Sequence, residues 1–255
     1  MITNPYEATE RFHLLFVAHL AQKIDSRLFA VKGGCNLRFF FKSVRYSEDI
    51  DLDVQKVATT TLRANVRNVL RHKALIDSLK TYGVEIVRQS EPKQTDTTQR
   101  WKIALGVSGY TREIPTKIEF SRRTGINGAL MESVDRDIIA KYHLFPINLY
   151  HYPRIEAIKQ KISALIGRTQ TQARDVFDLA HLIHDGLVVG EFRLSRKQVE
   201  EASDNALSIS YDAYRSQVVD FLMPEYQRVF GTTESWNDMV SRVIDFVQRV
   251  KHEPS

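Results

Sequence analysis

Three closely spaced aspartates alternate with apolar residues in the segment Asp49-Ile-Asp-Leu-Asp-Val. Alternation with a period of two is typical of a β-strand, which would place Asp49 and Asp51 on one face, about 6–7 Å apart. Two carboxylates at that separation repel each other unless a cation lies between them. Oxygen ligands on a rigid strand suit Mg²⁺, which recruits substrate phosphates to complete its coordination shell. The alternative is that Asp49, Asp51 and Asp53 form the solvated face of an edge strand, although Asp is depleted in strands.

A glycine pair lies shortly before this segment. Gly33 and Gly34 follow Lys32 and the apolar run 28–31, which predicts a strand, and they precede a predicted helix over about 35–41. Glycines allow the backbone to approach phosphate oxygens closely, and the amides at a helix start point toward a bound anion. A strand, two glycines, a helix and an acidic strand together form a site that can hold a metal-bound triphosphate.

The hydrophobic pattern predicts a mixed α/β half followed by a helical half. In the first half it predicts helices over 4–23 and 60–82, strands over 84–87, 101–107 and 117–120, and a loop over 90–99. Beyond Pro153 it predicts helices alone, over 154–167, 171–184, 197–206, 211–230 and 235–250. We therefore expect an α/β (α+β) fold, with one domain over residues 1–150 and a helical domain over 151–255.

The composition is that of a folded globular chain. With 43% hydrophobic and 26% charged residues among 255, it can fill a sizeable core, which excludes disordered, collagen-like and disulfide-stapled classes. The single cysteine cannot form an internal disulfide, and no segment approaches the ~18–20 apolar residues that a membrane span requires. No secretory leader is visible at the start of the sequence. We therefore expect a cytoplasmic protein that does not enter a membrane.

Basic residues are concentrated in the first half of the chain. The net charge is +6 over residues 1–120 and −1 over residues 121–255. Arg63, Arg67 and Arg71 recur every four residues, which would align them along one face of a helix. Such a stripe can follow the phosphate backbone of RNA, and an ordinary solvated basic face is the alternative.

Four blocks of the sequence resemble the AbiEii/AbiGii-type nucleotidyltransferase toxins, which belong to the DNA polymerase β-like nucleotidyltransferase superfamily. The blocks are Lys32-Gly-Gly-Cys-Asn-Leu-Arg, Arg45-Tyr-Ser-Glu-Asp-Ile-Asp-Leu, Lys161-Ile-Ser-Ala-Leu and Arg174-Asp-Val-Phe-Asp-Leu. The first two are shared by the whole superfamily, and the last two narrow the resemblance to the toxin-like branch. The matched region runs from residue 29 to about residue 182.

The resemblance implies a polymerase β-like core with a mixed sheet, followed by a helical portion that contributes to the active-site cleft. It implies transfer of a nucleotide from an NTP to a hydroxyl acceptor, with Mg²⁺ as cofactor and release of pyrophosphate. In several such toxins the acceptor is the 3′ end of tRNA, and a cognate antitoxin protein is an expected partner. Transfer to a small-molecule or protein hydroxyl is the alternative, as is a non-catalytic RNA-binding regulator, which the intact Asp49 and Asp51 pair disfavours.

The same resemblance assigns roles to individual residues. Asp49 and Asp51 would bind the metal, and Lys161 and Asp175 match the later functional Lys and Asp of the family. The apolar spacing around Lys161 favours it over Lys159 as the inward-pointing lysine. Five residues within the first two blocks are expected at the nucleotide, namely Lys32, Gly33, Gly34, Arg45 and Ser47.

Two of these expectations carry an alternative. Arg45 could hold a phosphate or could pair with Glu48. Glu119 is the candidate for the third acid that the superfamily usually supplies from a neighbouring strand, either as a metal ligand or as general base. Its alternative is an ordinary surface pair with Lys117.

Overall fold

The computed structural model describes residues 4–183 and 192–250 of the chain. The chain divides into two compact units. The first contains the residues up to Lys42 and Tyr46–Tyr152, and the second contains Ser43–Arg45 and the residues from Pro153 onward. Within the described residues, no helix is both long enough and apolar enough to cross a bilayer.

A mixed sheet forms the centre of the first unit. Its strands are β1 (Phe29–Lys32), β2 (Asp49–Val54), β3 (Val84–Gln94), β4 (Thr98–Val107), β5 (Ile114–Ser121), β6 (Leu130–Ser133) and β7 (Asn148–His151). Their spatial order is β3-β4-β5-β2-β1-β7-β6, in which β2–β5 and β1–β7 are parallel pairs and the others are antiparallel. The predicted α/β class with a mixed sheet is therefore confirmed.

The helices of the first unit are α1 (Pro5–Leu20), α2 (Gly33–Phe40), α3 (Thr59–Leu70), α4 (Lys73–Thr81) and α5 (Arg136–Tyr142). The helix α1 begins at Pro5 because Asn4 caps it, accepting a hydrogen bond from the Tyr6 amide at 2.9 Å.

The two faces of the sheet differ in what covers them. Ile50 and Leu52 of β2 share one buried apolar cluster with Phe12 of α1 and Leu62 of α3. We call this side the inner face. Since side chains alternate along a strand, Asp49 and Asp51 lie on the opposite side, the outer face. The chemistry-bearing acids and the helices α1 and α3 are thus on opposite sides of β2.

The second unit is helical. Its helices are α6 (Arg154–Gly167), α7 (Ala173–Leu182), α8 (Arg196–Leu207), α9 (Tyr211–Gln217), α10 (Pro224–Phe230) and α11 (Thr233–Arg249). Aromatic pairs join them: the Tyr214 and Trp236 rings stack with centroids 4.4 Å apart, and Phe192 meets Phe246 edge-on at 5.4 Å. The segment Ser43–Arg45 joins this unit through an antiparallel bridge between Arg45 and Leu222.

Two predicted helices are each divided in the structure. The one over 60–82 stops at Leu70 and resumes at Lys73, because His72 adopts an extended backbone with ψ 126°. The one over 211–230 stops at Gln217 and resumes at Pro224, which opens α10 because proline has no amide to donate within a helix.

Other predictions differ in extent. The predicted loop over 90–99 is mostly strand, since β3 continues to Gln94 and β4 begins at Thr98, and an edge strand such as β3 tolerates polar residues. The strands β6 and β7 and the helix α5 were not predicted. His184, the last residue of the predicted helix over 171–184, lies outside the described residues.

Candidate active site

Asp49 and Asp51 are placed by an interior strand of the sheet, since β2 lies between β5 and β1. The edge-strand alternative for these acids is therefore wrong. In the parallel register with β5, Asp49 lies beside Lys117 and Asp51 beside Glu119. The Lys117 Nζ is 2.8 Å from an Asp49 carboxylate oxygen, and both side chains are half-buried. The outer face therefore carries an acid pair with one lysine already bound to it.

Burial, together with the neighbouring carboxylates, acts against the ionisation of Asp51. Burial raises the pKa of Asp51, and although Lys117 and Lys32 lower it, the carboxylates of Asp49 and Glu119 raise it again, so that the pKa stays above its ordinary value. A cation bound by Asp49 and Asp51 would relieve this repulsion. Two half-buried carboxylates on a rigid strand are a donor set that fits a divalent cation such as Mg²⁺.

Gly33 lies directly against Asp51. Its φ of +64° is in the left-handed region that favours glycine, and a Cβ added there would be 3.0 Å from the Asp51 Oδ2 atom. Gly33 is also the first residue of α2, whose N-cap, Lys32, makes no side-chain capping hydrogen bond. The first amides of α2, from Gly33 and Gly34 onward, can therefore donate to an anion beside the acid pair.

Lys32 is held by an acid that was not expected in the site. Its Nζ lies 2.5 Å from the Asp53 Oδ1 atom, and the Tyr152 hydroxyl donates to the other Asp53 oxygen at 2.7 Å. Asp53 is buried, so the third aspartate of the segment anchors the lysine rather than facing solvent. The role of Tyr152 could not be predicted from the sequence, because it lies 99 residues from Asp53 along the chain.

Glu119 has the expected position but a different partner. It lies on the outer face beside Asp51 and accepts a hydrogen bond from the Arg100 Nε at 2.6 Å, whereas Lys117 contacts Asp49. The surface pair of Glu119 with Lys117 is therefore not formed. Over residues 4–183 and 192–250, no three His, Cys, Asp or Glu side chains are grouped so that they could hold a metal ion. In the described residues, Glu119 therefore lies beside the acid pair without forming a three-residue metal cluster with it, and its role as the third acid stays a prediction.

Two side chains fix the backbone at the start of β2. The Ser47 hydroxyl donates to the Asp49 carbonyl at 2.8 Å, and the Cys35 thiol donates to the same carbonyl at 3.3 Å. Burial raises the pKa of the Cys35 thiol, which keeps it protonated as a donor. Ser47, expected at the nucleotide, therefore supports the Asp49 backbone in the structure.

A buried histidine completes this support from the inner face. The Thr116 hydroxyl donates to the Glu48 carbonyl at 2.7 Å, so its oxygen accepts from the His13 Nε2, also at 2.7 Å. Burial lowers the pKa of His13 to about 3, which keeps the ring neutral. His13 is a buried residue of α1, and nothing in its sequence spacing indicated a role near the acid pair.

In the second unit, Lys161 points inward from α6 and contacts two acids of α7. Its Nζ lies 3.2 Å from Asp175 and 2.5 Å from Asp178, and all three side chains are buried. Lys159 is exposed and pairs with Glu156. In the structure Lys161 therefore contacts both Asp175 and Asp178. Asp178 lies three residues after Asp175, on the same side of the helix, so the spacing could have indicated it.

Arg45 also binds Asp178. Its Nη2 donates to both Asp178 oxygens, at 3.1 and 3.0 Å, and both side chains are buried. Burial would raise the pKa of Asp178, but the charges of Arg45 and Lys161 outweigh it and lower the pKa below its ordinary value. Arg168 approaches Asp175 at 2.8 Å. Arg45, expected at a phosphate or at Glu48, is thus built into this buried ion cluster.

The arginine stripe of α3 lies away from the acid pair. Arg63 and Arg67 both contact Glu91, each with its Nε 2.6 Å from a carboxylate oxygen, while Arg71 is exposed. Because α3 packs on the inner face and the acids lie on the outer face, the stripe offers no direct path to Asp49 and Asp51. That the stripe follows an RNA backbone stays a prediction.

Comparisons with known proteins show the family and the fold of the chain. A family model described as "Nucleotidyl transferase AbiEii toxin, Type IV TA system" matches residues 14–250. The fold is similar to that of MenT4, a nucleotidyltransferase toxin from Mycobacterium tuberculosis, with a TM-score of 0.63 and 16% identity over 96% of this chain and 83% of that one. It is also similar to JHP933 from Helicobacter pylori, with a TM-score of 0.59 and 17% identity over 98% and 93%. A search of curated proteins finds no match.

Replacing Gly33 with Ala should disturb the acid pair. The left-handed backbone alone should cost about 1–2 kcal/mol of unfolding free energy, and the new methyl group would displace the Asp51 carboxylate. Gly83→Ala is the matched control, since Gly83 has φ +72° and lies far along the chain, against Ser108. Urea unfolding should show a similar loss for both variants, whereas calorimetry should show weakened metal–triphosphate binding for Gly33→Ala alone. Equal binding by the two variants would contradict the placement of Gly33 at the ligand.

The buried His13 should make stability depend on pH. Because its folded-state pKa is lowered to about 3 from 6.5, its contribution is complete above pH 6.5 and is lost as the pH falls toward 3. His13→Gln keeps an N–H donor for Thr116 but does not titrate. Between pH 7 and pH 5, wild type should lose about 2 kcal/mol more unfolding free energy than the variant. Urea unfolding at both pH values measures this, and equal losses would show that His13 is protonated without cost.

Proposed function

Because the chain belongs to the AbiEii family of nucleotidyltransferase toxins of type IV toxin–antitoxin systems, we propose that it transfers a nucleotide to the 3′ end of an RNA, with tRNA as the expected acceptor. Family membership gives the activity, nucleotidyl transfer from an NTP, and implies an antitoxin partner. The RNA acceptor and Mg²⁺ as the metal are the finer parts of the proposal. NTPs and RNA are supplied in the cytoplasm, where we expect the enzyme to act.

The observation that carries the proposal is the contact between Gly33 and the acid pair. At Gly33 the start of α2 approaches the Asp51 carboxylate so closely that an added Cβ would be 3.0 Å from its Oδ2 atom. Triphosphate oxygens at the amides of Gly33 and Gly34 would lie beside Asp49 and Asp51. One helix start and one acid pair can therefore bind the phosphates of the same nucleotide.

Asp49 and Asp51 are the residues that would hold Mg²⁺. The bound ion would neutralise charge on the phosphates and favour displacement of pyrophosphate. Lys117 and Lys32 add positive charge on the same face, and each is positioned by an aspartate, Asp49 and Asp53 respectively. These two ion pairs keep the lysines in place before the substrate binds, so less ordering is needed on binding.

Activation of the acceptor hydroxyl needs a base on the same face. Glu119 is the candidate that the sequence offered, and it lies beside Asp51 in register. Arg100 fixes its orientation through the 2.6 Å contact. We keep Glu119 as the proposed general base rather than as a third metal ligand.

The second unit enters the proposal through Lys161 and Asp175. Their family blocks support a role in turnover, with Lys161 as a cation that offsets charge on the transferred phosphate. In the structure Lys161 offsets the charges of Asp175 and Asp178.

The direct test incubates the purified protein with each α-labelled NTP, Mg²⁺ and total RNA, and resolves the labelled products. We expect label in an RNA of tRNA size, removable by trimming at its 3′ end. Label in a protein or a small molecule would place the acceptor in one of the alternative classes and overturn the RNA proposal.

Asp49→Asn and Asp51→Asn should each abolish transfer, because the amide removes the charge that would bind the metal. Asp77→Asn is the matched control, since Asp77 is exposed on α4 and pairs with Lys73. Transfer rates and melting temperatures should be measured together. Wild-type rates for both site variants in Mg²⁺ would remove the acid pair from the mechanism.

Lys161→Ala should lower turnover by about 10²-fold or more, the effect typical of losing a charge-stabilising group. Lys159→Ala, its exposed neighbour on the same helix, should leave turnover near wild type. Because removing one member of a buried ion pair can cost about 3–5 kcal/mol, rates are compared well below each variant's melting temperature. Similar turnover for the two variants would exclude a role for Lys161 in the reaction.

A further inference from the structure

Basic side chains cover part of the outer face that the proposed chemistry does not use. In the antiparallel register of β4 with β5, Lys102 lies beside Lys117, and in that of β3 with β4, Lys93 lies beside Arg100. Cross-strand partners share a face of the sheet, so these four cations lie on the same side as Asp49. We call Lys93, Arg100, Lys102 and Lys117 the outer basic row.

The outer basic row starts at the acid pair. Asp49, Lys117 and Lys102 occupy neighbouring positions on the adjacent strands β2, β5 and β4. With strands about 4.8 Å apart, Lys102 is about 10 Å from Asp49. The neighbouring row continues from Asp51 through Glu119 and Arg100 to Lys93 on the edge strand β3, about 14 Å across at the same spacing. Positive charge therefore extends from the catalytic carboxylates to the open edge of the sheet.

Two of the four cations are uncompensated. Arg100 pairs with Glu119 and Lys117 with Asp49, but Lys93 and Lys102 have no carboxylate within ion-pair distance in the part of the chain that the structure describes. Lys102 is exposed, so the outer face of β4 is open to solvent at that point. By contrast, Arg63 and Arg67 share Glu91 on the other side of the sheet.

We propose that the outer basic row binds the phosphate backbone of the RNA acceptor, with Lys93 and Lys102 as the contacts that make the affinity salt-dependent. The inference rests on the proposed function, in which RNA is the acceptor, and it identifies the surface of the protein to which that RNA would bind. A chain of phosphates laid across β3, β4 and β5 has its terminal hydroxyl on the face that carries Asp49 and Asp51. Uncompensated lysines gain most from a polyanion, because binding releases the counterions that the polyanion holds.

The test compares binding of total deacylated tRNA at several salt concentrations by wild type, by K93Q/K102Q and by K73Q/K80Q. The control pair has the same charge change, and both of its lysines lie on α4. The slope of log affinity against log salt should flatten by about 1.4 for K93Q/K102Q, the value for two lost single-strand phosphate contacts, and should not change for K73Q/K80Q. Melting temperatures of both variants confirm that they are folded.

The outcomes separate the inference from the function on which it rests. If wild type labels RNA and K93Q/K102Q binds tRNA with wild-type affinity and slope, the outer basic row is not the acceptor surface, and the proposed function stands. R63Q/R67Q/R71Q is measured in the same way. If it alone loses tRNA affinity, the arginine stripe of α3 is the acceptor surface instead. If wild type neither binds nor labels RNA, the proposed acceptor class is wrong, and the inference falls with it.

Discussion

The repulsion between carboxylates on one interior strand is the constraint around which the first unit is arranged. Asp49 and Asp51 are half-buried and Asp53 is buried, on a strand that has a neighbour on each side. The adjacent strands carry lysines that compensate two of these carboxylates: Lys117 of β5 pairs with Asp49, and Lys32 of β1 pairs with Asp53. Asp51 has no ion pair within 4 Å in the described residues, and its pKa is raised. It is also the acid that Gly33 touches, so the least compensated carboxylate lies where a cation and a triphosphate would bind.

The backbone of this site could be predicted from the sequence, but its charge pairs could not. Period-two alternation over residues 49–54 and the glycine pair are local signals, and β2 and the start of α2 lie where such signals place them. The partner of Asp49 depends on the register of β2 with β5, some 68 residues further along the chain, and no local pattern fixes that register. The same holds for Arg45, whose acid lies 133 residues away. The break between α3 and α4 likewise depends on the extended backbone of His72, and the hydrophobic periodicity of the sequence does not indicate it.

The arginine stripe shows how a one-dimensional pattern can identify a helix face without locating that face in the fold. A four-residue repeat identifies the residues that share a helix face, but not the side of the sheet on which that helix packs. The hydrophobic residues of α3 decide this, and they place it on the inner face. Lys93 and Lys102 have no periodic relation to each other in sequence. Strand pairing alone brings them to the same face of the sheet as the acid pair, which is why a sheet surface is harder to recognise from sequence than a helical one.

The assignment of Ser43–Arg45 to the second unit has a consequence for how the chain becomes complete. Neither unit is one continuous stretch of chain, since Ser43–Arg45 belong to the helical unit but precede most of the sheet in the sequence. During synthesis, Arg45 leaves the ribosome well before Asp178, which lies 133 residues further along the chain, so their buried contact forms only after Asp178 has been made. A nascent chain or a fragment ending at Tyr152 has Arg45 without Asp178, so the buried ion pair cannot form in it. For a toxin, this order of assembly delays the finished helical unit until Asp178 and the helices that follow it have been synthesised.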